Sequence, residues 1–153
     1  PTITPLRSNL VQQSVTTGGV FTTSQVNYTT QKGWYIDLPT SGERINTDPA
    51  IGLTTLVFTT NVPNSNPCTP GGTSYLYAMD YAYEQGRSTP YVTASRTALG
   101  DGLGSRPVLV KTTTGQLKAL VRKSDASTVT TTIPTPSGSA TTKRVSWREL
   151  PEQ

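Results

Sequence analysis

The 153 residues of this chain suffice for one domain or for part of a larger one, and the net charge of +4 is too small to impose disorder. Hydrophobic residues make up only 33% of the sequence and charged residues 14%, and no run of strong helix formers is present, which excludes long helices. Cys68 is the only cysteine and histidine is absent, which excludes an internal disulfide and a structural zinc site.

The distribution of charge and hydrophobicity bears on possible partners. The 13 basic residues are scattered along the chain, so we expect no nucleic-acid binding. No apolar run is long enough to cross a bilayer, so we expect no membrane span. The chain begins at Pro1 instead of a methionine, and we expect it to be a piece excised from a longer protein.

Short strands are predicted along the whole chain, separated by turns rich in Gly, Pro, Asn and Ser. In chain order they are expected at residues 9–16, 20–30, 34–38, 43–46, 53–60, 74–81, 91–94, 107–111, 117–123, 127–133 and 144–150. Strands 9–16 and 20–30, 107–111 and 117–123, and 127–133 and 144–150 are expected to form hairpins. Long polar loops are expected at 62–73 and 134–143, and a glycine-rich loop at 98–104.

Two strands carry the clearest burial patterns. The strand at 53–60 is continuously apolar over Leu56-Val57-Phe58, which predicts burial on both faces. The strand at 74–81 alternates, which places Tyr75, Tyr77, Met79 and Tyr81 on one face and Leu76, Ala78 and Asp80 on the other. We therefore predict an all-β, antiparallel fold of the sandwich, barrel or propeller type, with an N-terminal hairpin at 1–30 and the main β region at 31–153.

Several short motifs follow one another between residues 31 and 150. They are Gly33-Trp34-Tyr35-Ile36-Asp37-Leu38-Pro39, Ser41-Gly42-Glu43-Arg44, Phe58-Thr59-Thr60, Pro67-Cys68, Gly71-Gly72-Thr73-Ser74-Tyr75-Leu76, Leu99-Gly100, Ser105-Arg106-Pro107-Val108 and Val145-Ser146-Trp147-Arg148-Glu149-Leu150. This order resembles the C-terminal β-propeller region of the PilY1/PilC family of type IV pilus tip proteins. The resemblance implies that the chain forms the terminal blades of a propeller, or a small sandwich if it is self-contained.

The resemblance also implies a function. Proteins of this family are non-catalytic components of the pilus tip that support pilus assembly and surface attachment. The implied location is extracellular, at the cell surface, after transit through the periplasm and outer membrane. The implied partners are pilin subunits or other pilus-tip proteins, the remainder of the precursor, and a host or abiotic surface. No cofactor is implied, because the family's Asp-rich calcium loop does not occur in this sequence.

Residues in the two long loops are the candidates for contact with a partner, because binding residues concentrate on loops held by a rigid sheet. These candidates are Asn64, Asn66, Thr69, Ser137 and Lys143. Four other residues are expected to be structural. Trp34 and Trp147 are expected in the core, Asp80 is expected to accept backbone N–H groups of the following turn, and Cys68 is expected to be buried or paired outside this chain.

No catalytic residue is predicted, because Cys68 lacks a histidine base. The carboxylates Asp37, Glu43, Asp48 and Asp101 are expected to cap turns or to pair with Arg44 or Arg106. Two alternative functions stay open at this stage. Exposed tyrosines at 75, 77 and 81 would favour a carbohydrate-binding β module, and a quinoprotein-like propeller enzyme is the third possibility.

Overall fold

The chain is an all-β protein, as predicted. A computed structural model describes residues 7–66, 71–83 and 88–136. In these ranges a 3-10 helix at Arg7–Asn9 precedes ten strands: β1 Val11–Val15, β2 Phe21–Thr22, β3 Trp34–Ile36, β4 Ala50–Gly52, β5 Thr55–Pro63, β6 Gly72–Asp80, β7 Ser95–Asp101, β8 Val108–Lys111, β9 Leu117–Arg122 and β10 Thr128–Ile133. Within these described ranges, no helix has the length and hydropathy needed to cross a membrane.

The strands of the described residues form three small sheets. The N-terminal sheet has the order β2-β1-β3, the central sheet β4-β5-β6-β7, and the C-terminal sheet β8-β9-β10. All neighbouring strands are antiparallel except β1 and β3, which pair in parallel from Val11 with Trp34 onward. That pairing crosses the boundary predicted near residue 30, so the first hairpin is hydrogen-bonded to the chain that follows it.

The central sheet is covered on both faces. Phe58, Tyr77 and Met79 project from one face into an apolar cluster with side chains of the N-terminal sheet. From the other face, side chains pack against the C-terminal sheet; this second cluster comprises Val57, Leu76, Ala78, Leu99, Leu117, Ala119, Val121 and Ile133. The two-sided burial predicted for Leu56-Val57-Phe58 is confirmed, and the part of the chain that the structure describes is a stack of three layers.

The alternation predicted for residues 74–81 is also confirmed, except at its last residue. Tyr77 and Met79 lie in the cluster next to the N-terminal sheet, and Leu76 and Ala78 lie in the cluster next to the C-terminal sheet. Tyr81 lies beyond the end of β6 and is 40% exposed. It therefore does not continue the tyrosine face.

The glycine-rich loop predicted at 98–104 is wrong over its first half, where β7 runs to Asp101. The register between β6 and β7 shifts at Ser74 and Tyr75, which pair with Gly100 and Ala98, so β7 has one extra residue. Gly100 has a φ of 79° at this bulge. Some bulges place a glycine at positive φ, and the glycine that suggested a loop in fact serves such a bulge inside a strand.

The β4–β5 hairpin is not predicted from the sequence, because its turn contains no glycine or asparagine. Its two turn residues, Leu53 and Thr54, have φ of 49° and 67°, and Gly52 pairs directly with Thr55. Two-residue hairpin turns of this shape usually contain Asn-Gly or Asp-Gly, because both positions require positive φ. A Leu-Thr turn has no recognisable turn signal, so the predicted strand began two residues early and β4 was not predicted.

Other predicted strands are shorter or displaced. The strand at 43–46 is reduced to one isolated bridge between Arg44 and Asn61, and 91–94 is not a strand. Only Phe21–Thr22 of the strand predicted at 20–30 is present. β10 pairs with β9 across the turn at 123–127, and the hairpin partner predicted for it at 144–150 lies outside the described residues.

Asn61 ties the central sheet to the chain that follows β7. Its side-chain Oδ1 accepts a hydrogen bond from the backbone N of Gly104 at 2.7 Å, and its Nδ2 donates to Gly104 O at 3.0 Å. A Cβ at residue 104 would lie 2.6 Å from Thr59 Cγ2, so only glycine fits at this contact. The fully buried side-chain amide of Asn61 therefore joins the central sheet to the chain after β7 by two hydrogen bonds.

The Leu53-Thr54 turn predicts a stabilising substitution. Thr54 has positive φ although it is β-branched, and its buried Oγ1 has no hydrogen-bond partner among the described residues. Thr54→Gly removes both costs, and we expect it to raise the free energy of unfolding by about 1 kcal/mol in urea denaturation. The matched control is Thr113→Gly, in an exposed turn without positive φ, which should lower stability instead. A loss of stability in Thr54→Gly would contradict the turn geometry.

Candidate functional site

One open cleft lies where loops from two sheets meet at the same end of the stack. Its volume is about 750 Å³, within the range typical of ligand sites. It is lined by the end of β5, the start of β6, the end of β7 and the β9–β10 turn, together with Ser41 from the chain before β4. The lining residues are Ser41, Val62, Pro63, Asn64, Ser65, Gly71, Gly72, Thr73, Asp101, Gly102, Ser124 and Asp125.

The walls of the cleft are joined to each other by hydrogen bonds. Gly102 N donates to Gly72 O at 2.7 Å, which links β7 to the start of β6. Leu103 N donates to Ser124 Oγ at 3.0 Å, and Leu103 O accepts from Ser124 N at 2.9 Å, which links the chain after β7 to the β9–β10 turn. Asn64 N donates to Gly71 O at 2.9 Å and closes the loop between β5 and β6.

Glycine is required at the narrowest part of these walls. A Cβ at Gly72 would lie 2.2 Å from Val62 O and 2.9 Å from Pro63 Cα, because β5 and β6 approach closely where the loop leaves the sheet. Gly72 has a φ of 152°, and Gly71 before it a φ of 137° with open space around it. The Gly71-Gly72 pair therefore shapes the cleft wall, because Gly72 allows β5 and β6 to approach closely and both residues have positive φ.

The two carboxylates at the rim of the cleft, Asp101 and Asp125, differ in their hydrogen bonds. Asp125 accepts hydrogen bonds from the hydroxyl and the backbone N of Ser127, and Lys123 Nζ lies 3.5 Å from its Oδ2. These hydrogen bonds, with the nearby lysine, lower the pKa of Asp125. Asp101 is exposed, and its carboxylate has no hydrogen-bond partner among the described residues, although its backbone O accepts from Lys123 Nζ at 2.7 Å.

The predicted contact residues are only partly in view. Asn64 lines the cleft, and its Oδ1 accepts a hydrogen bond from Asn66 N at 3.1 Å, which fixes the first turn of the loop. Thr69, Ser137 and Lys143 lie outside the described residues. Loop 62–73 therefore contributes both of its ends to the cleft.

A second cluster of ionisable groups is buried between the N-terminal and central sheets. Glu43 and Arg96 form a salt bridge of 3.0 Å, and their side chains are 0% and 3% exposed. Glu43 Oε1 accepts from Thr60 Oγ1 at 2.6 Å and from the Tyr77 hydroxyl at 2.8 Å, while Oε2 accepts from Thr40 N. Each carboxylate oxygen of Glu43 thus accepts two hydrogen bonds.

Arg96 makes three further hydrogen bonds in the same network. Nε donates to the Tyr77 hydroxyl at 2.8 Å, Nη1 donates to Thr17 O at 2.7 Å, and Nη2 donates to Thr40 Oγ1 at 2.8 Å. The guanidinium also lies 3.5 Å above the centre of the Tyr75 ring. One side chain on β7 therefore holds the β1–β2 turn, the chain after β3, and β6.

The protonation states of this cluster follow from its contacts. Burial by itself raises the pKa of Glu43, but the hydrogen bonds from Thr60, Tyr77, Thr40 and Arg96 outweigh burial, and the pKa lies below its ordinary 4.5. Burial and then the negatively charged Glu43 raise the pKa of Tyr77, so its hydroxyl stays protonated. Burial by itself lowers the pKa of Arg96, but the interactions with Glu43 and Tyr77 outweigh burial, and the pKa lies above its ordinary value.

The tyrosines do not form an exposed stacking platform. Tyr77 is fully buried, stacks on Phe58 with centroids 4.8 Å apart, and meets Phe21 edge-on. Tyr75 is covered by Arg96. The tyrosine face of β6 is therefore a packing surface between sheets, which removes the observation that would have favoured a sugar-stacking surface there.

The residues expected to be structural are found in these places. Trp34 packs at the edge of the cluster between the N-terminal and central sheets, and its Nε1 donates to Tyr81 O at 3.1 Å. Asp80 accepts from Ala82 N at 3.0 Å and from Tyr91 N at 2.7 Å, so its carboxylate holds the turn after β6 and the chain before β7. Cys68 and Trp147 lie outside the described residues.

The turn capping predicted for the carboxylates is confirmed for Glu43, whose Oε2 accepts from the backbone N of Thr40 in the turn at 40–43, but the predicted ion-pair partners are wrong for Glu43 and Asp37. Glu43 pairs with Arg96 instead of the neighbouring Arg44, and Asp37 pairs with Arg7. Arg96 and Asp125 were not singled out from the sequence. Arg96 carried no detectable signal, because its acceptors are brought to it from distant segments, whereas Asp125-Ala126-Ser127 is a recognisable turn that could have been placed at a loop end.

The described residues contain no group of three or more acidic or cysteine side chains arranged to hold a metal ion. Neither a protein-family model, nor a curated protein, nor a solved structure matches the chain. The cleft and the buried network are therefore the two features from which a function is inferred, and only the cleft is open to a partner.

The buried network predicts a large loss of stability when its acid is neutralised. Glu43→Gln leaves Arg96 buried without a counter-ion, and we expect the free energy of unfolding to fall by about 3 kcal/mol or more in urea denaturation. The control is Asp37→Asn, which removes the ion pair with Arg7. Both side chains of that pair are exposed, Arg7 at 64% and Asp37 at 59%. That change should cost about 1 kcal/mol or less. Equal losses in the two variants would contradict the assigned role of Glu43.

The same network predicts a dependence on pH. Because the pKa of Glu43 is lower in the folded chain, its contribution is present above pH 4.5 and is lost as the pH falls through the lowered value. The difference in unfolding free energy between wild type and Glu43→Gln should be constant near neutral pH and shrink below about pH 4. Thermal unfolding of both proteins across this range measures it, and a difference that persists unchanged into acid would refute the prediction.

Proposed function

We propose that this chain is a terminal part of a β-propeller in a type IV pilus tip protein similar to the PilY1/PilC family. Its role there is non-catalytic: it supports pilus assembly and carries a surface that takes part in attachment. The observation that carries the proposal is the stack of three small sheets around a central four-stranded antiparallel meander. The ordered motifs between residues 31 and 150 add the resemblance to the pilus family.

The form of the central sheet supports a propeller origin. Propeller blades are four-stranded antiparallel sheets that pack face to face around an axis. Here β4, β5, β6 and β7 follow each other in space as in sequence, and both faces of their sheet pack against neighbouring sheets. The parallel pairing of β1 with β3 departs from a simple meander, so the N-terminal sheet is the least blade-like of the three.

The placement of charged groups supports a structural role. The most deeply buried ion pair, Glu43 with Arg96, spends its hydrogen-bonding capacity on its own neighbours. Catalytic acids and bases need an open path to a substrate and a pKa near the working pH. Glu43 has neither, because its side chain is fully covered and its pKa is lowered.

The proposed partners are pilin subunits or other pilus-tip proteins and the remainder of the precursor, with a host or abiotic surface contacted at the tip. The proposed location is extracellular, on the cell surface. Loop 62–73 is the proposed contact region, because its two ends form part of an open cleft on a rigid three-layer support. A carbohydrate-binding β module is the second candidate, and the Ser, Thr, Asn and Asp side chains among the residues that line the cleft favour it.

Shortening loop 62–73 tests the attachment role. Removal of residues 65–69 from the full tip protein should lower surface attachment several-fold, because Ser65 is lost from the cleft lining and the loop is shortened between Asn64 and Gly71, while β5 and β6 remain paired up to Pro63 and Gly72. Attachment of piliated cells in a flow chamber measures the effect, with pili counted by electron microscopy. The control shortens the 112–116 turn, at the opposite end of the C-terminal sheet. Unchanged attachment and pilus number in the loop variant would contradict the proposal.

A further inference from the structure

We propose that the cleft at the end of the sheet stack binds a neutral saccharide, with the Asp101 carboxylate as the main acceptor for its hydroxyl groups. This inference rests on the attachment role proposed above and names the class of ligand for it. The argument depends on the shape of the cleft, the rigidity of its walls, the free hydrogen-bonding groups, and the position of one lysine.

The cleft is large enough and rigid enough for a small polar ligand. Its volume of about 750 Å³ exceeds the size of a monosaccharide and leaves room for a second ring. The cross-links from Gly102 to Gly72 and from Leu103 to Ser124 hold its walls in place without a ligand. A preformed site loses little conformational entropy on binding, which matters most for ligands that bind weakly.

The free groups in the cleft match the hydroxyls of a sugar. Asp101 is exposed and its carboxylate is uncommitted among the described residues, so its two oxygens can accept from neighbouring hydroxyls of one ring. Hydrogen bonds to an ionised carboxylate are roughly twice as strong as those between neutral groups. Ser41, Asn64 and Ser65 line the same cleft, and their side-chain hydroxyl and amide groups are donors that suit hydroxyl oxygens.

The position of Lys123 argues for a neutral ligand over a cation. Its Nζ donates to the backbone O of Asp101 and lies 3.5 Å from Asp125 Oδ2, and its side chain is only 10% exposed. This fixed positive charge already compensates one of the two rim carboxylates. A divalent metal ion or a basic peptide would meet repulsion from the lysine and find one free carboxylate, whereas a saccharide meets no such penalty.

The lining residues also set the expected strength of binding. None of the lining side chains in the described part of the chain is aromatic, so a sugar ring has no surface on which to stack. Hydrogen bonds alone must hold it, and they replace bonds to water at little net gain. We expect a Kd of about 1 mM for a single ring, which multiple copies at a cell surface would strengthen through avidity.

The experiment is a titration of the isotope-labelled full chain with methyl glycosides of glucose, galactose, mannose and N-acetylglucosamine, followed by amide NMR shifts. At least one glycoside should shift amides of residues 64, 71, 72 and 101–103 in a saturable manner. Asp101→Asn should weaken that binding at least tenfold, while the same change at exposed Asp48, outside the cleft, should leave it unchanged. The spectrum of Asp101→Asn also reports whether the variant is folded.

Each outcome decides the matter. Saturable shifts in the cleft that Asp101→Asn weakens at least tenfold support the inference, and shifts that this variant leaves unchanged overturn the role of Asp101. Shifts induced by calcium chloride or by an oligo-arginine peptide and not by any glycoside overturn it. If no glycoside binds while the shortened loop still reduces attachment, the saccharide inference fails and the attachment role stands. If a glycoside binds but attachment never depends on the loop, the attachment role fails and the binding site stands.

Discussion

The buried contact between Glu43 and Arg96 is the interaction on which the rest of the structure depends. Two charges removed from water are tolerable only when every donor and acceptor finds a partner. Here the partners come from the β1–β2 turn, the chain after β3, β5 and β6, so satisfying the pair requires all of these segments to be in place at once. The pair therefore specifies how the N-terminal sheet sits on the central sheet as well as holding it there.

The other interface of the central sheet is organised differently. It is an apolar contact between β5, β6 and the C-terminal sheet, closed at one end by the hydrogen bonds between Asn61 and Gly104. Because Gly104 is held there, the chain on either side of it must run along the end of the stack. Asp101 and Ser124 are brought together by that path, so the cleft is a consequence of how two layers are joined.

Local patterns in the sequence predicted a large part of the fold. The alternation of residues 74–81 and the apolar centre at Leu56-Val57-Phe58 reported burial correctly, because side-chain direction in a strand depends only on the backbone period. Failures occurred where a local signal and its structural use differ. Gly100 serves a bulge inside β7 and not a loop, and the Leu53-Thr54 turn adopts positive φ without glycine or asparagine.

The candidate site was less predictable than the fold. Loop 62–73 was found from its composition and length, and Asn64 does line the cleft. Asp101 was noted only as a carboxylate near a glycine turn, and Arg96 was not noted at all. Contacts separated by 53 residues along the chain, such as Arg96 with Glu43, leave no trace in any short window of a single sequence.

The sequence by itself determined the all-β class, the strands with the strongest pattern and the side chains each of them buries, because these depend on residue type and a period of two. It also determined that a polar loop lies between β5 and β6. Only the tertiary structure decided which acid meets Arg96, which glycines are required by close approach, and which loops surround the cleft. Those features depend on the order and spacing of three stacked sheets, which are set by the fit of whole layers against each other.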